Sequence, residues 1–295
     1  TIGGHICGGA GGLGSLTWGF LDDRGNVVGA RIVTLEEEPR IIELRGNDTD
    51  LINRSFGTTG IVVELELPVE NRTHWRDMIV AFDDFISAVR FAQEFTASPG
   101  IGKHACAVVD STITPYFVHF AKVIPEGKPI VLLMVAPSGV ISTAEIAAGH
   151  GGTIVYEEDM AEGESNPAKE PVYEYCWNHT TLQVLKHDRS VTYIQTVFPS
   201  ETMYRDIEVL RELFGDEVLW HLEFIRAGSD IACTGASVVP PGPCSLAMPG
   251  CPRTATKVTN ARTSRGAHAM RRRGAAAIMW AALLCTLASA SDEVA

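Results

Sequence analysis

Seven of the first fourteen residues are glycine, in the run Thr1-Ile2-Gly3-Gly4-His5-Ile6-Cys7-Gly8-Gly9-Ala10-Gly11-Gly12-Leu13-Gly14. Ten of the chain's 28 glycines fall within residues 1–29. A stretch with so few Cβ atoms serves as a loop whose backbone enters conformations with positive φ or comes close to another group. Loops of this kind bring N–H groups up to a phosphate, where side chains would obstruct the approach. The competing reading is a flexible glycine-rich terminus. Against it, the run leads straight into β-branched segments and lacks the Ser/Gln bias of a linker.

Those segments come in order. Val27–Thr34 is β-branched and apolar, and Arg40–Leu44 alternates as a half-buried strand does. Asp50–Phe56 reads as a short helix ending on Gly57, and Ile61–Leu67 alternates again before Pro68. From residue 69 to 235 strands and helices follow one another. Strands are expected at 75–82, 105–109, 130–135, 152–156, 190–197 and 218–225. Helices are expected from an N-cap at Asp83 to about Thr96, and at 142–148, 172–186 and 201–214, with a polar surface loop at 157–170. Strand–helix–strand units mixed with consecutive strands predict an α+β fold, an antiparallel sheet with helices on one face.

Residues 236–295 differ. Pro240-Pro241-Gly242-Pro243 interrupts the pattern, and the last 45 residues carry seven basic side chains against two acidic ones. Met270-Arg271-Arg272-Arg273, an apolar run from Ala275 to Ala288 and then Ala288-Ser289-Ala290 follow the order of a secretory signal, at the opposite end of the chain from a signal's usual place. The run is short for a membrane span. A frame artefact, a chance Ala-rich helix and a tail anchor all remain as explanations, so the tail supports no fold inference. Without it, residues 1–250 hold 17 basic and 34 acidic residues, a net charge of −17 that would repel a nucleic-acid backbone. No membrane partner is expected for the body either. The seven cysteines form no C-x-x-C pair and no His cluster completes a metal site. Reduced thiols in a cytoplasmic protein are the expectation.

Gly9-Ala10-Gly11-Gly12-Leu13-Gly14 satisfies G-x-G-x-x-G, and Glu36 lies where a dinucleotide fold would place a ribose-binding acid. An NAD-linked Rossmann enzyme, however, needs those glycines between a strand and a long helix. No strand precedes them, and Ser15–Asn26 is interrupted by Gly19 and Gly25. No Walker-type phosphate loop is present.

The run Thr1-Ile2-Gly3-Gly4, then Gly8-Gly9-Ala10-Gly11-Gly12, then Trp18-Gly19 resembles the second flavin-contacting loop of the PCMH-type FAD-binding oxidoreductases, the vanillyl-alcohol oxidase superfamily that includes glycolate oxidase subunits and D-lactate dehydrogenases. Asn26–Thr34 and Arg40–Leu44 match that family's next strand pair. Phe56-Gly57-Thr58-Thr59-Gly60-Ile61-Val62 resembles its F-G-[ST]-x-G-[IV]-[IV] turn. The resemblance implies that residues 1–68 are the second subdomain of an FAD-binding domain, 69–235 an α+β cap over a small-molecule substrate, and 236–295 an irregular tail. It implies family sequence before Thr1 and in place of the residues after about Gly235.

By the same resemblance Ile2, Gly3, Gly4, Gly8, Gly9, Gly11 and Gly12 line the diphosphate and flavin side of FAD, with Ser15 near its ADP part. Gly57, Thr58, Gly60, Ile61 and Val62 hold adenine and ribose by main-chain contacts. His5 follows G-G as in the berberine-bridge branch, whose flavin-attachment residues lie upstream of this position. It reads either as a loop residue beside the cofactor or as a solvated one. Cys7 reads as a small buried filler. In the cap, Tyr175-Cys176-Trp177-Asn178-His179-Thr180-Thr181 is the densest polar and aromatic cluster. His179 with Asn178, joined by Tyr193, reads as the catalytic group for a hydroxyl proton, or else the cluster is an interface packing the cap on the FAD domain. The implied activity is hydride transfer from a small 2-hydroxy acid or other alcohol to flavin N5. The alternative is a catalytically silent fragment without cofactor.

Overall fold

A computed structural model describes residues 1–159 and 170–240. The run of glycines opens as a helix. In α1 (Ile2–Gly8) the Thr1 hydroxyl caps the start by accepting from Gly4 N at 3.1 Å, and Gly9 ends it in the left-handed conformation with its N–H on Ile6 O. Capping at both ends and the burial of Ile6 and Cys7 outweigh the poor helix propensity of glycine. A second turn, α2 (Ser15–Trp18), follows.

β1 (Gly29–Val33), β2 (Ile41–Arg45) and β3 (Ile61–Glu66) form an antiparallel sheet in the order β2-β1-β3. Ala30, Ile32 and Leu44 join Ile6, Cys7, Val27 and Ile52 in one small core. The other face is a charged ladder. Arg31 pairs with Glu43 and Glu64, and Arg45 with Glu43 and Glu66. The helix expected at 50–56 is instead a 3₁₀ segment at Gly46–Leu51 followed by turns.

The larger sheet has seven strands, all paired antiparallel: β4 (Arg76–Ala81), β5 (Lys103–Val109), β6 (Ile130–Val135), β7 (Thr153–Asp159), β8 (Thr192–Phe198), β9 (His221–Ala227) and β10 (Asp230–Val239). Their order is β7-β4-β6-β5-β9-β10-β8. Alternate residues enter two cores. Met78, Val80, Cys106, Val108, Val131 and Leu133 meet the residues of α3 (Phe85–Ala97), with α4 (Val140–Gly149) and α6 (Met203–Phe214) on the same side. Ile79, Ala81, Ala107, Val109, Ile130 and Leu132 face 3₁₀ segments at Thr114–Tyr116, Val118–Phe120 and Val172–Tyr175, and α5 (Asn178–Leu185). Burial on both sides explains why β6 reads Ile-Val-Leu-Leu-Met-Val without alternation.

The α+β class and antiparallel sheet agree with expectation, but helices cover both faces of the large sheet rather than one, because the apolar residues of α5 and the 3₁₀ segments also need a core, and further local details differ. The cap of α3 is Asp84, whose Oδ1 accepts from Ser87 N at 2.8 Å, while Asp83 pairs with Lys128 at 2.7 Å. Helix 172–186 is split at Trp177. Strand β10 runs through 235 to Val239, so Ala236–Val239 belong to the sheet. Residues 157–159 of the expected loop instead end strand β7, where they pair with β4; residues 160–169 and the signal-like tail lie outside the described residues.

Candidate functional site

The two glycine motifs, about 50 residues apart in sequence, meet. Phe56 N donates to Cys7 O at 3.1 Å, and a Cβ on Gly3 would lie 3.4 Å from the Val62 side chain. Gly3 therefore lets α1 settle onto β3. Gly60 has φ 157, and a Cβ there would lie 2.8 Å from Val33 O, so this turn tolerates nothing larger.

Several of the expected main-chain donors are committed within the loop. Gly4 N points to Thr1 Oγ1, Gly9 N to Ile6 O, Gly12 N to the buried Ser15 Oγ at 2.9 Å, and Thr58 N to Ser55 O. At Gly8 and Gly57, by contrast, a Cβ would meet nothing within 4 Å beyond the adjoining backbone, and at Gly12 it would meet only His5 Nε2 at 4.0 Å. Those positions are open to a bulky group. Ile2, Phe56 and Ile61 are exposed beside them, and β3 is an edge strand, so part of its backbone polar rim faces away from β1. His5 is exposed and Cys7 is buried.

α2 ties the run to the larger sheet. Gly14 N donates to His104 O at 3.2 Å, Thr17 Oγ1 donates to Lys103 O at 2.8 Å, and Leu16 is part of the larger core. The His104 ring stacks on Trp75 with centroids 4.9 Å apart, and burial holds its imidazole below its ordinary pKa, hence neutral at pH 7.

The turn before α5 also touches the glycine run, at Trp177. A Cβ on Gly11 would lie 2.6 Å from the indole, so glycine is required there by that contact. Trp177 has φ 54 and ψ −141, a backbone region that residues with a Cβ enter at a cost of roughly 1–3 kcal/mol. Its N–H donates to Glu223, which is 1% exposed on β9. His221 Nε2 lies 2.8 Å from the same carboxylate oxygen and 3.1 Å from Thr180 Oγ1. None of Trp177, His221 or Glu223 was singled out from the sequence. An alternation of polar residues on the otherwise apolar Trp220–Ile225 segment was the available signal.

Asn178 begins α5 and is exposed. His179 is half-buried, with Nδ1 3.1 Å from Glu174 Oε2 but not in hydrogen-bonding line with it. Tyr193 is exposed on edge strand β8. Burial pushes the thiols of Cys106, Cys176 and Cys233 well above their usual pKa, so they are packing groups rather than nucleophiles. Among the described residues no group of three His, Cys, Asp or Glu side chains is placed to hold a metal, and no helix is long and apolar enough to cross a membrane.

Gly9–Gly14 lie between a seven-residue helix and a four-residue one, which removes the strand-and-long-helix setting that a Rossmann site requires. No family model matches the chain, and no curated protein matches it. Solved structures do. An alkyldihydroxyacetonephosphate synthase aligns with TM-score 0.56 and 17% identity over 81% of this chain and 51% of its own. Another crystal form gives 0.55 and 16% over 88% and 51%. A glycopeptide hexose oxidase complexed with teicoplanin aligns with TM-score 0.48 and 14% identity, over 88% and 58%. The chain thus spans about half the length of the synthase structures it matches. It has their fold over that span, and the α+β architecture implied by the resemblance to the PCMH-type FAD-binding oxidoreductases is the one observed.

Proposed function

We propose that this chain is part of an FAD-dependent oxidoreductase acting on a small organic substrate, a 2-hydroxy acid or another alcohol. The observation that carries this reading is the meeting of two glycine motifs around backbone that is open at Gly8, Gly12 and Gly57. These residues fit FAD. The open glycines admit a diphosphate, and exposed Ile61 on edge strand β3 suits a flat adenine flanked by backbone polar groups, with the neighbouring Val62 packed inward under Gly3. Gly3, Gly11 and Gly60 are accounted for by packing, and their part in the site is to keep the loop thin.

FAD, when bound, would supply the acceptor for a hydride from the substrate carbon. The chain's own residues then have separate tasks. Glu174 places a carboxylate charge beside the His179 ring, His179 is assigned to take the hydroxyl proton, and exposed Asn178 offers an amide to the substrate. The reading assigns a cytoplasmic setting, supported by four free buried thiols, and neither nucleic acid nor membrane as partner of the body.

The test is FAD binding by the purified full chain, followed by flavin absorbance and fluorescence. Saturable binding is expected, abolished in Gly8→Leu while the thermal midpoint stays within a few degrees, because that side chain enters open space. His179→Ala should retain FAD and lower kcat by about 10²–10⁴-fold. The matching of only half of the synthase length favours a second reading, a silent fragment; a colourless chain that no FAD concentration saturates would establish it.

A further inference from the structure

We propose that Glu223 is a positioning residue that holds Trp177 in a glycine-like backbone conformation and so fixes its indole against the glycine loop, shaping the flavin side of the site. The proposal rests on the FAD reading for its ligand, but the clamp itself stands on the chain's own geometry.

Trp177 is a bulky aromatic residue at φ 54 and ψ −141, at the junction between a 3₁₀ turn and α5. Such a conformation persists only where its surroundings over-determine it. Two contacts do so. On the backbone side, the N–H donates to Glu223 Oε1. On the ring side, the indole lies where a Cβ on Gly11 would sit, 2.6 Å from Cη2 and Cζ3, with Phe20 on the same glycine at 3.0 Å. Phe20 in turn lies under the Arg54 guanidinium, 5.7 Å from its ring centroid, and Arg54 pairs with Asp22. Contacts therefore run from the cap through Gly11 to the residues just before the Phe56–Val62 turn.

The anchor is built for direction rather than bulk. Thr180 Oγ1 commits its proton to Tyr175 O, so the threonine can only accept from His221. Glu223 Oε1 is also an acceptor. The His221 proton is therefore assigned to Nε2, shared between the two oxygens. His221 thus keeps the carboxylate turned toward the Trp177 N–H. Both side chains are fully enclosed, at 0% and 1% exposure, and an apolar pair would fill β9 at least as well. What the carboxylate adds is a charged acceptor for one strained N–H.

The experiment uses the full chain with Glu223→Ala, Glu223→Gln and Trp177→Gly. It reads Trp177 amide exchange without FAD and, separately, the FAD dissociation constant. Glu223→Ala should speed exchange of that amide about 10- to 100-fold, the weight of one charge-assisted hydrogen bond, and weaken FAD by about tenfold. Glu223→Gln keeps an acceptor oxygen and should restore both to within about threefold of the parent; if the alanine variant does not fold, the FAD affinity of Trp177→Gly decides the matter. Trp177→Gly takes up the conformation freely but gives up the packing of the indole, so it should lower the thermal midpoint and also weaken FAD as much as Glu223→Ala. A role in stability alone would lower the thermal midpoint and leave FAD affinity unchanged. Unchanged amide exchange in Glu223→Ala, or parental FAD affinity in Trp177→Gly, overturns the proposal. If the parent binds no FAD, the cofactor reading fails and amide exchange alone supports or overturns the clamp.

Discussion

The three-stranded sheet and the seven-stranded sheet are both antiparallel, yet they bury their residues in different ways. The central strands of the large sheet are covered on both faces, with Ile79, Val80, Ala107, Val108, Leu132 and Leu133 all at 0% exposure. The small sheet rests one face on a core of seven buried residues and leaves the other to a ladder of arginines and glutamates. Ile41, Ile61 and Val63 stay largely exposed on it. A platform closed on both faces holds positions; a sheet with an open edge and face leaves its backbone reachable, as a ligand bound by main-chain groups requires.

Truncating a buried side chain in each core probes this contrast most strongly. Phe91→Ala, packed between Phe82 and Phe95 with centroids at 5.3 and 5.9 Å, should cost about 3–5 kcal/mol. Ile52→Ala in the small core should fall near the low end of its class, about 2 kcal/mol, because the thin surroundings can relax. Urea unfolding of both variants gives the two values, and equal losses would break the contrast.

The next effect comes from a flaw in the large sheet. Asp77 on β4 is fully buried, its Oδ2 accepting from Val172 N at 2.9 Å and its Oδ1 without a partner among the described residues. Burial, with Glu158 adding to it, raises its pKa from 3.8 to about 6. The folded chain thus holds a proton there that the unfolded chain has released. The stabilising contribution is complete below about pH 4 and is lost as pH rises through about 6. Asp77→Asn should flatten this dependence and, after the cost of burying its amide, raise stability at pH 7 by about 1–2 kcal/mol. Thermal melts at pH 4.5 and 7 check the sign. A variant less stable than the parent at pH 7 would show that the carboxylate is satisfied as it stands.

The smallest effect belongs to the open face. Arg31→Ala removes pairs to Glu43 and Glu64 among half-exposed side chains, and should cost less than about 1 kcal/mol, a loss that shrinks further in salt. A larger, salt-insensitive loss would mean that this face is covered in the folded protein.

How far the sequence discloses this architecture depends on which force decides each element. β6 and α3 are legible, because a run of Ile, Val, Leu and Met or an Asp cap ahead of spaced aromatics is dictated by burial and capping. α1 is not, since Gly3, Gly4 and Gly8 argue against a helix, and the contacts that rescue it, Gly3 on Val62 and Ile6 in the small core, are between distant residues. β10 is obscured by its small residues, Gly235, Ala236 and Ser237, and by the prolines that follow. At the candidate site, the glycine motifs were readable as types at given spacings. Trp177 was visible only as part of an aromatic cluster, because its conformation is imposed by Glu223 from a strand 46 residues away.

α2 carries one more consequence. Leu16 belongs to the amino-terminal segment but is buried in the core of the large sheet, with Gly14 and Thr17 bonded to β5 on either side of it. Local opening of the glycine run must therefore loosen that core, and opening of β5 must release the run. The two regions melt as partners, so a molecule captured by the glycines would slow hydrogen exchange in β5, in a strand that it never touches.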